Sequence, residues 1–395
     1  MSNDRIPVPL MTSEPGSFAR YTIVERKPDV IYRVLADNSY PPEIVAALEA
    51  FRSEIARQPI QPIREKAPDA AFWNNKAATY RGRTWLELPW YFAETYFYRR
   101  LLEVVRYFQP AIWHGHDPFG PQKREQEQEA AAWLTAHAGQ LHGMKPELRL
   151  EVLLYSSLWA NRVDLSNLTV LEQARGGFDS REEQHNVLID DTDRVAALLT
   201  AGVKRVDFVA DNHGRELLLD LVLADSLLGQ RWAQTVVFHL KDYPFFVSDA
   251  MRRDVEALFG LLRNEPLGQR LDGHLAAGRL MLKDNPFWTS CLLFREMPAP
   301  LIAELALSDL VILKGDVNYR RLLDDAHWPH TARLEEIASY FPVPFLVLRT
   351  LKSEIMVGLE PGQAEEIAAQ DPDWLLNGKR GIIQLLTEDA RRKTG

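Results

Sequence analysis

The chain of 395 residues has a single cysteine, Cys291. No intrachain disulfide can form, no zinc site can be built from thiolates alone, and a reducing compartment fits this usage. Positive charge is also short. The 46 Lys and Arg residues against 55 Asp and Glu give a formal net charge of −9 at pH 7, which argues against a sequence-independent hold on a phosphate backbone, so no nucleic-acid partner is expected. Residues 1–17 contain Asp4, three prolines and no long apolar run. Neither a signal peptide nor a membrane partner is therefore expected, and the expected location is the cytoplasm. A dinucleotide fingerprint is missing, because Gly176-Gly177 lacks the GxGxxG spacing. What is present is ordinary globular composition, 46% hydrophobic and 26% charged. That composition at this length implies two or three domains with a large core.

Up to about Leu171 the dominant pattern is helical. Ile44, Leu48, Phe51 and Ile55 recur at one-face spacing. The stretch from Pro89 to Phe108 carries too many aromatics for one narrow stripe and should be buried on several sides. After Gly176-Gly177 short apolar runs alternate with helix-length segments: 206–210, 235–240, 309–313 and 344–348. Such alternation predicts a parallel sheet covered by helices. We therefore expect a mostly helical N-terminal domain over residues 1–175 and an α/β domain over 176–395. The first 15 or so residues, Gln122–Glu129 and the tail after Glu388 are the expected weakly ordered pieces.

In open parallel sheets ligands sit beyond the carboxyl ends of the strands. The residues following the four runs are Asp211, Asn212, His213, Gly214 and Glu216; Lys241, Asp242 and Asp249; Lys314 through Arg320; and Arg349, Thr350 and Lys352. Carboxylates, an amide and cations converge on one edge. Asp211, the Asn212 carbonyl and Asp249 suit a hard divalent cation, which takes oxygen ligands. Lys352, Arg349 and Arg320 would then face a phosphate. Each phrase alone is also ordinary turn or helix-cap chemistry, and only their coincidence on one edge carries the functional reading. His114-Gly115-His116 reads as a loop, His213 as a turn residue, and Cys291 as packing.

These phrases also resemble a known family. Asp211-Asn-x-Gly-x-Glu216, Phe246-Val-Ser-Asp249, Lys314-Gly-Asp-Val-Asn-Tyr-Arg320 and Arg349-Thr-Leu-Lys352 are similar to motifs of the metal-dependent damage-control phosphatases, the last matching the RTxK signature of their third subfamily. Family-like phrases also occur at Phe18–Thr22 with Arg26 and Pro28, at Pro89–Glu94 with Tyr98–Arg100, and at Leu158–Asn161 with Asp164–Ser166.

The resemblance implies a three-layer αβα Rossmann-like sandwich with a helical N-terminal domain. The activity it implies is hydrolysis of small phosphate esters, such as fructose 1-phosphate or fructose 6-phosphate, using Mn²⁺, Co²⁺, Ni²⁺ or Mg²⁺. Asp211, Asn212 and Asp249 match metal ligands and, with Lys352, the catalytic set. Asp211, Asn212, Glu216, Asp316, Val317, Asn318, Tyr319, Arg320, Arg349 and Lys352 match substrate contacts. His213 departs from the family's usual small residue, and Val317 replaces a frequent leucine. Two other classes stay open: an S-adenosylmethionine-dependent protein carboxyl methyltransferase, in which Glu216 and Asp249 would help bind the methyl donor, and a noncatalytic sugar-phosphate binder. Oligomeric state is not legible.

Overall fold

A computed structural model describes residues 6–160 and 186–387. Seven strands form one sheet: β1 (Val187–Asp190), β2 (Val203–Val209), β3 (Ala233–Leu240), β4 (Leu280–Asp284), β5 (Leu310–Lys314), β6 (Phe345–Thr350) and β7 (Gly381–Leu386). Their order is β1-β7-β6-β5-β2-β3-β4. The five strands from β6 to β4 are mutually parallel, β7 runs antiparallel to β6, and β1 pairs in parallel with β7. The four expected runs are β2, β3, β5 and β6. The other three strands carry weaker sequence signals: β1 and β4 are short and half-exposed, while β7 is a brief apolar run that periodicity cannot distinguish from helix.

Side chains alternate between the two sheet faces, and each face buries its own apolar cluster. Val206, Phe208, Leu310 and Ile312 pack with the helices Pro146–Leu158, Arg215–Gly229 and Arg252–Leu262. Val209, Val311, Leu313 and Val347 pack on the other face with Ala299–Leu305 and Gly315–Leu322. This is a three-layer αβα sandwich. A third cluster belongs to the helical half and joins Ile23, Ile44, Leu48, Phe51, Ile55, Tyr96 and Phe97. In the helix Trp90–Val104 every residue from Trp90 to Leu102 is buried, as its crowded aromatics required.

The expected domain boundary near residue 175, Gly176-Gly177, Asn161, Asp164–Ser166 and the tail after Glu388 lie outside the described residues. One expectation of weak order is overturned. Gln122–Glu129 belongs to the helix Gly120–Gly143, opened by Pro121 and rich in helix formers. Its buried stripe runs Lys123, Glu127, Ala130, Leu134 and Leu141. A regular helical stripe is there, but it begins with charges, which apolar periodicity overlooks.

Candidate functional site

The chain passes from β2 outward to β3 and β4, then returns to place β5 on the other side of β2. The carboxyl ends of β2 and β5 therefore flank a topological switch point, where open α/β sheets form a crevice. Asp211 follows β2, and Gly315 follows β5 at φ +78°. A Cβ on Gly315 would stand 1.9 Å from Asp211 Oδ2, so only glycine lets the carboxylate occupy the crevice. The β3 loop closes onto this point through backbone bonds. His213 N donates to Ser248 O (2.7 Å) and Ala250 N to Asp211 O (2.8 Å), holding Asn212 opposite Asp249 as an isolated bridge.

A cavity of about 310 Å³ opens here, at the small end of the ~300–1,000 Å³ range for small-molecule sites. Polar groups lining it include Asp211, Asn212, Glu216, Asp249, Asp316 and Lys352. The helical half contributes Phe18, Arg26, Trp90, Glu94 and Tyr98 to the cavity wall. Phe246 completes that wall with φ +53°, a left-handed conformation unusual for a bulky residue and the kind of strain that functional loops retain. Its ring packs 5.0 Å from Tyr98 and 5.1 Å from Phe245.

Burial raises the Asp211 carboxyl well above the usual carboxylate range, and the charges of Glu216 and Asp249 push it further, against Lys241 and Lys352. Asp249 is raised to about 6 by burial, opposed by Lys241, whose Nζ lies 3.2 Å from Oδ2. Asn212 Nδ2 donates to Asp211 Oδ2 (2.8 Å) and Glu216 Oε2 (3.0 Å), while its Oδ1 accepts from Ser248 Oγ. Glu216 sits in the first turn of Arg215–Gly229, where the helix dipole favours a carboxylate. The buried carboxylates of Asp211 and Asp249, raised together beside Glu216, fit a hard divalent cation, which would hold both ionised, while the Asn212 amide as placed turns its NH2 toward the carboxylates and its carbonyl toward Ser248.

The structure brings together Asp211, Asn212, Glu216, Asp249, Asp316, Val317, Arg320 and Lys352 around this cavity. It uses four predicted residues otherwise. Arg349, expected to face a phosphate, has no exposed surface; it donates to Asp316 Oδ1 (2.8 Å), Ile355 O (2.6 Å) and Ser353 Oγ (2.9 Å), so it orients Asp316. Arg320 reaches the cavity wall, but its guanidinium is committed to Asp325 (2.7 Å) and Glu94 and stacks 3.4 Å over Trp90. Asn318 donates to Lys314 O (2.8 Å) and Val209 O (3.3 Å). Tyr319 is core, its hydroxyl accepting from Val357 N (3.2 Å). Lys314, from the same run, is buried behind the pocket floor, donating to Ser157 O (2.8 Å) and lying 3.0 Å from Asp220 Oδ1 and 3.6 Å from Glu216 Oε1.

Two pocket features carried no role in the sequence reading. Glu94 lies between Lys27 (2.9 Å) and Arg320, bridging the helical half to the end of β5. Burial is the largest influence on Glu94 and pushes it up, but Lys27 and Arg320 outweigh it and hold the carboxyl down at about 2. Lys27 has one such carboxylate, so burial wins there and lowers its ammonium to about 8. The second feature is Arg26, at the end of a π-helical turn, Thr22–Arg26. π-Turns inside helices recur at functional sites. Arg26 is exposed into the cavity. Its inclusion in a family-like phrase was the one available signal.

Residues 22–367 match the model of the damage-control phosphatase ARMT1-like domain. The chain is 33% identical to the damage-control phosphatase ARMT1 of Mus musculus, covering 96% of this chain and 98% of that protein. The Danio rerio protein of the same name is 32% identical, with 96% of each covered. A crystal structure of a DUF89 family protein from Pyrococcus horikoshii superposes with a TM-score of 0.50 over 93% of this chain and 96% of that one, at 12% identity, a likeness of fold.

Proposed function

The chain belongs to the ARMT1-like family of damage-control phosphatases, and from that premise we propose that this pocket hydrolyses small sugar phosphates with a divalent metal held by Asp211, Asn212 and Asp249. The observation that carries the reading is the pairing of two features in one cavity. Buried oxygen donors meet at the switch point, and two exposed cations, Lys352 and Arg26, line the same cavity with no ion pair among the described residues.

When bound, Mn²⁺, Co²⁺, Ni²⁺ or Mg²⁺ supplies Lewis-acid polarisation of a phosphoryl oxygen and activation of the nucleophile. The chain's own residues do the rest. Lys352, held beside Asp316 by its backbone N–H (3.3 Å), and Arg26 neutralise phosphate oxygens within the cavity. Ser248 and Glu216 fix the amide of Asn212 from both ends. Arg349 holds Asp316 at the rim, where a carboxylate accepts hydrogen bonds from sugar hydroxyls. Phe18, Trp90 and Phe246 form an apolar wall that packs on a sugar's C–H face and limits water. The cavity's size and polarity suit a small phosphate ester better than a peptide.

Purified protein assayed for released phosphate against a panel of phosphorylated sugars, fructose 1-phosphate and fructose 6-phosphate included, with each of the four metals, tests the proposal. Metal-dependent release from at least one ester is expected. Binding without release would leave a sugar-phosphate binder.

A further inference from the structure

Beside the pocket, which His213 also lines, lies a second group of donors. Glu127 comes from the helix Gly120–Gly143, His213 from the turn after β2, and Asp254 from the first turn of Arg252–Leu262. One ligand atom from each lies within 4.8 Å of the others, and all three residues are buried. The histidine side chain has no exposed surface.

The hydrogen bonds fix what each group offers. His213 Nε2 is 2.8 Å from the carbonyl of Lys123; a carbonyl only accepts, so Nε2 carries the proton and Nδ1 presents its lone pair. Nδ1 is buried with no hydrogen-bond partner and lies 3.9 Å from Glu127 Oε1. Asp254 receives Lys123 Nζ (2.8 Å) and Met251 N (2.8 Å), both on Oδ2. Among the described residues no donor is bonded to Asp254 Oδ1 or to the Glu127 carboxylate. His213 Nδ1 is thus a buried acceptor without a donor, facing two carboxylates of which only Asp254 has donors of its own, an arrangement that is costly unless something positive lies between the three.

A proton shared by His213 and Glu127 satisfies two of the three, whereas a divalent ion satisfies all of them. A ligand histidine typically gives its other ring N–H to a backbone carbonyl, and His213 does so. Lys123 does not occupy this space, since its ammonium is already engaged by Asp249 O (2.9 Å) and Asp254 Oδ2 (2.8 Å). We propose that Glu127, His213 and Asp254 form a second divalent-metal site, of the nitrogen-and-carboxylate type that Zn²⁺ and Co²⁺ prefer. Ligand atoms around tetrahedral zinc lie roughly 3.3 Å apart, so binding draws the triad together. That movement pins the helix Gly120–Gly143 to the two loops that present Asn212 and Asp249. The site therefore acts as a brace beside the pocket.

Zn²⁺ alone is the probe, titrated into chelator-stripped full-length protein in competition with a chromophoric chelator, with Co²⁺ absorption as a second readout. The Asp249→Asn variant should retain one equivalent of metal, and adding His213→Ala or the near-isosteric Glu127→Gln should remove it while the circular dichroism spectrum is kept. If the proposed pocket metal fails instead, wild type binds one equivalent that Asp249→Asn leaves untouched and Glu127→Gln abolishes. A folded Asp249→Asn protein that takes up no Zn²⁺, or equal uptake with and without the Glu127→Gln change, overturns the brace.

Discussion

Gly315 and Asp211 occupy adjoining strand ends so tightly that a methyl group on the glycine would overlap the carboxylate, 1.9 Å from Oδ2. The loop after β5 thereby sets how far Asp211 can reach into the crevice. Gly315→Ala adds both that clash and a strained φ of +78°. We expect phosphatase activity to fall by two orders of magnitude or more, consistent with the ~10²-fold penalty of a 1 Å misplacement. The far-UV circular dichroism of the variant should match wild type, and steady-state kinetics on the best sugar phosphate check the loss.

Lys352→Ala and Arg26→Ala test the two exposed cations. Among the described residues neither side chain has an ion-pair partner, so thermal midpoints should hardly move. Each loss should lower kcat/KM by roughly 10- to 1,000-fold if the cation meets phosphate oxygens in the transition state. Unchanged kinetics for Lys352→Ala would remove the RTxK lysine from the mechanism.

The Lys27–Glu94–Arg320 bridge predicts a pH dependence. Glu94 is held at about 2, below its ordinary 4.5. Its stabilisation is complete above the unfolded-state value and is lost as pH falls from about 4.5 toward 2. The shift corresponds to on the order of 3 kcal/mol. Denaturant unfolding of wild type and Glu94→Gln at pH 7 and at pH 3 should show a stability gap that narrows at the lower pH.

Asp211, Asp316 and Lys352 are legible in the chain because each lies two residues beyond the end of an apolar strand, and in a parallel sheet that position fixes which edge they reach. The arginines and Asn318 could not be placed that way. A charge type says nothing of its partner: Arg320 is taken up by Glu94, 226 residues away in sequence, and Arg349 by Asp316 across the β5–β6 edge. Arg26 was hidden for a related reason, since a π-turn is a tertiary compromise with no composition signal of its own. The donor set of Glu127, His213 and Asp254 spans three segments that only the fold joins.

Arg349 supplies a stability prediction. Arg349→Met leaves Asp316 facing Ser353 without its buried cation, and losing one partner of such a pair costs about 3–5 kcal/mol. Chemical denaturation should show that loss, together with a raised KM as Asp316 loosens at the rim.

The central claim, a metal-dependent phosphatase centred on Asp211, Asn212 and Asp249, is tested most directly by phosphate release from wild type and Asp249→Asn across a Mn²⁺ titration. A parallel assay follows methyl transfer from labelled S-adenosylmethionine in the presence of a chelator. Removing one carboxylate charge weakens metal affinity, so the account predicts a depressed rate for Asp249→Asn that excess Mn²⁺ partly restores, with wild type silenced by the chelator. Chelator-resistant methyl transfer with no phosphate released from any sugar phosphate would contradict it.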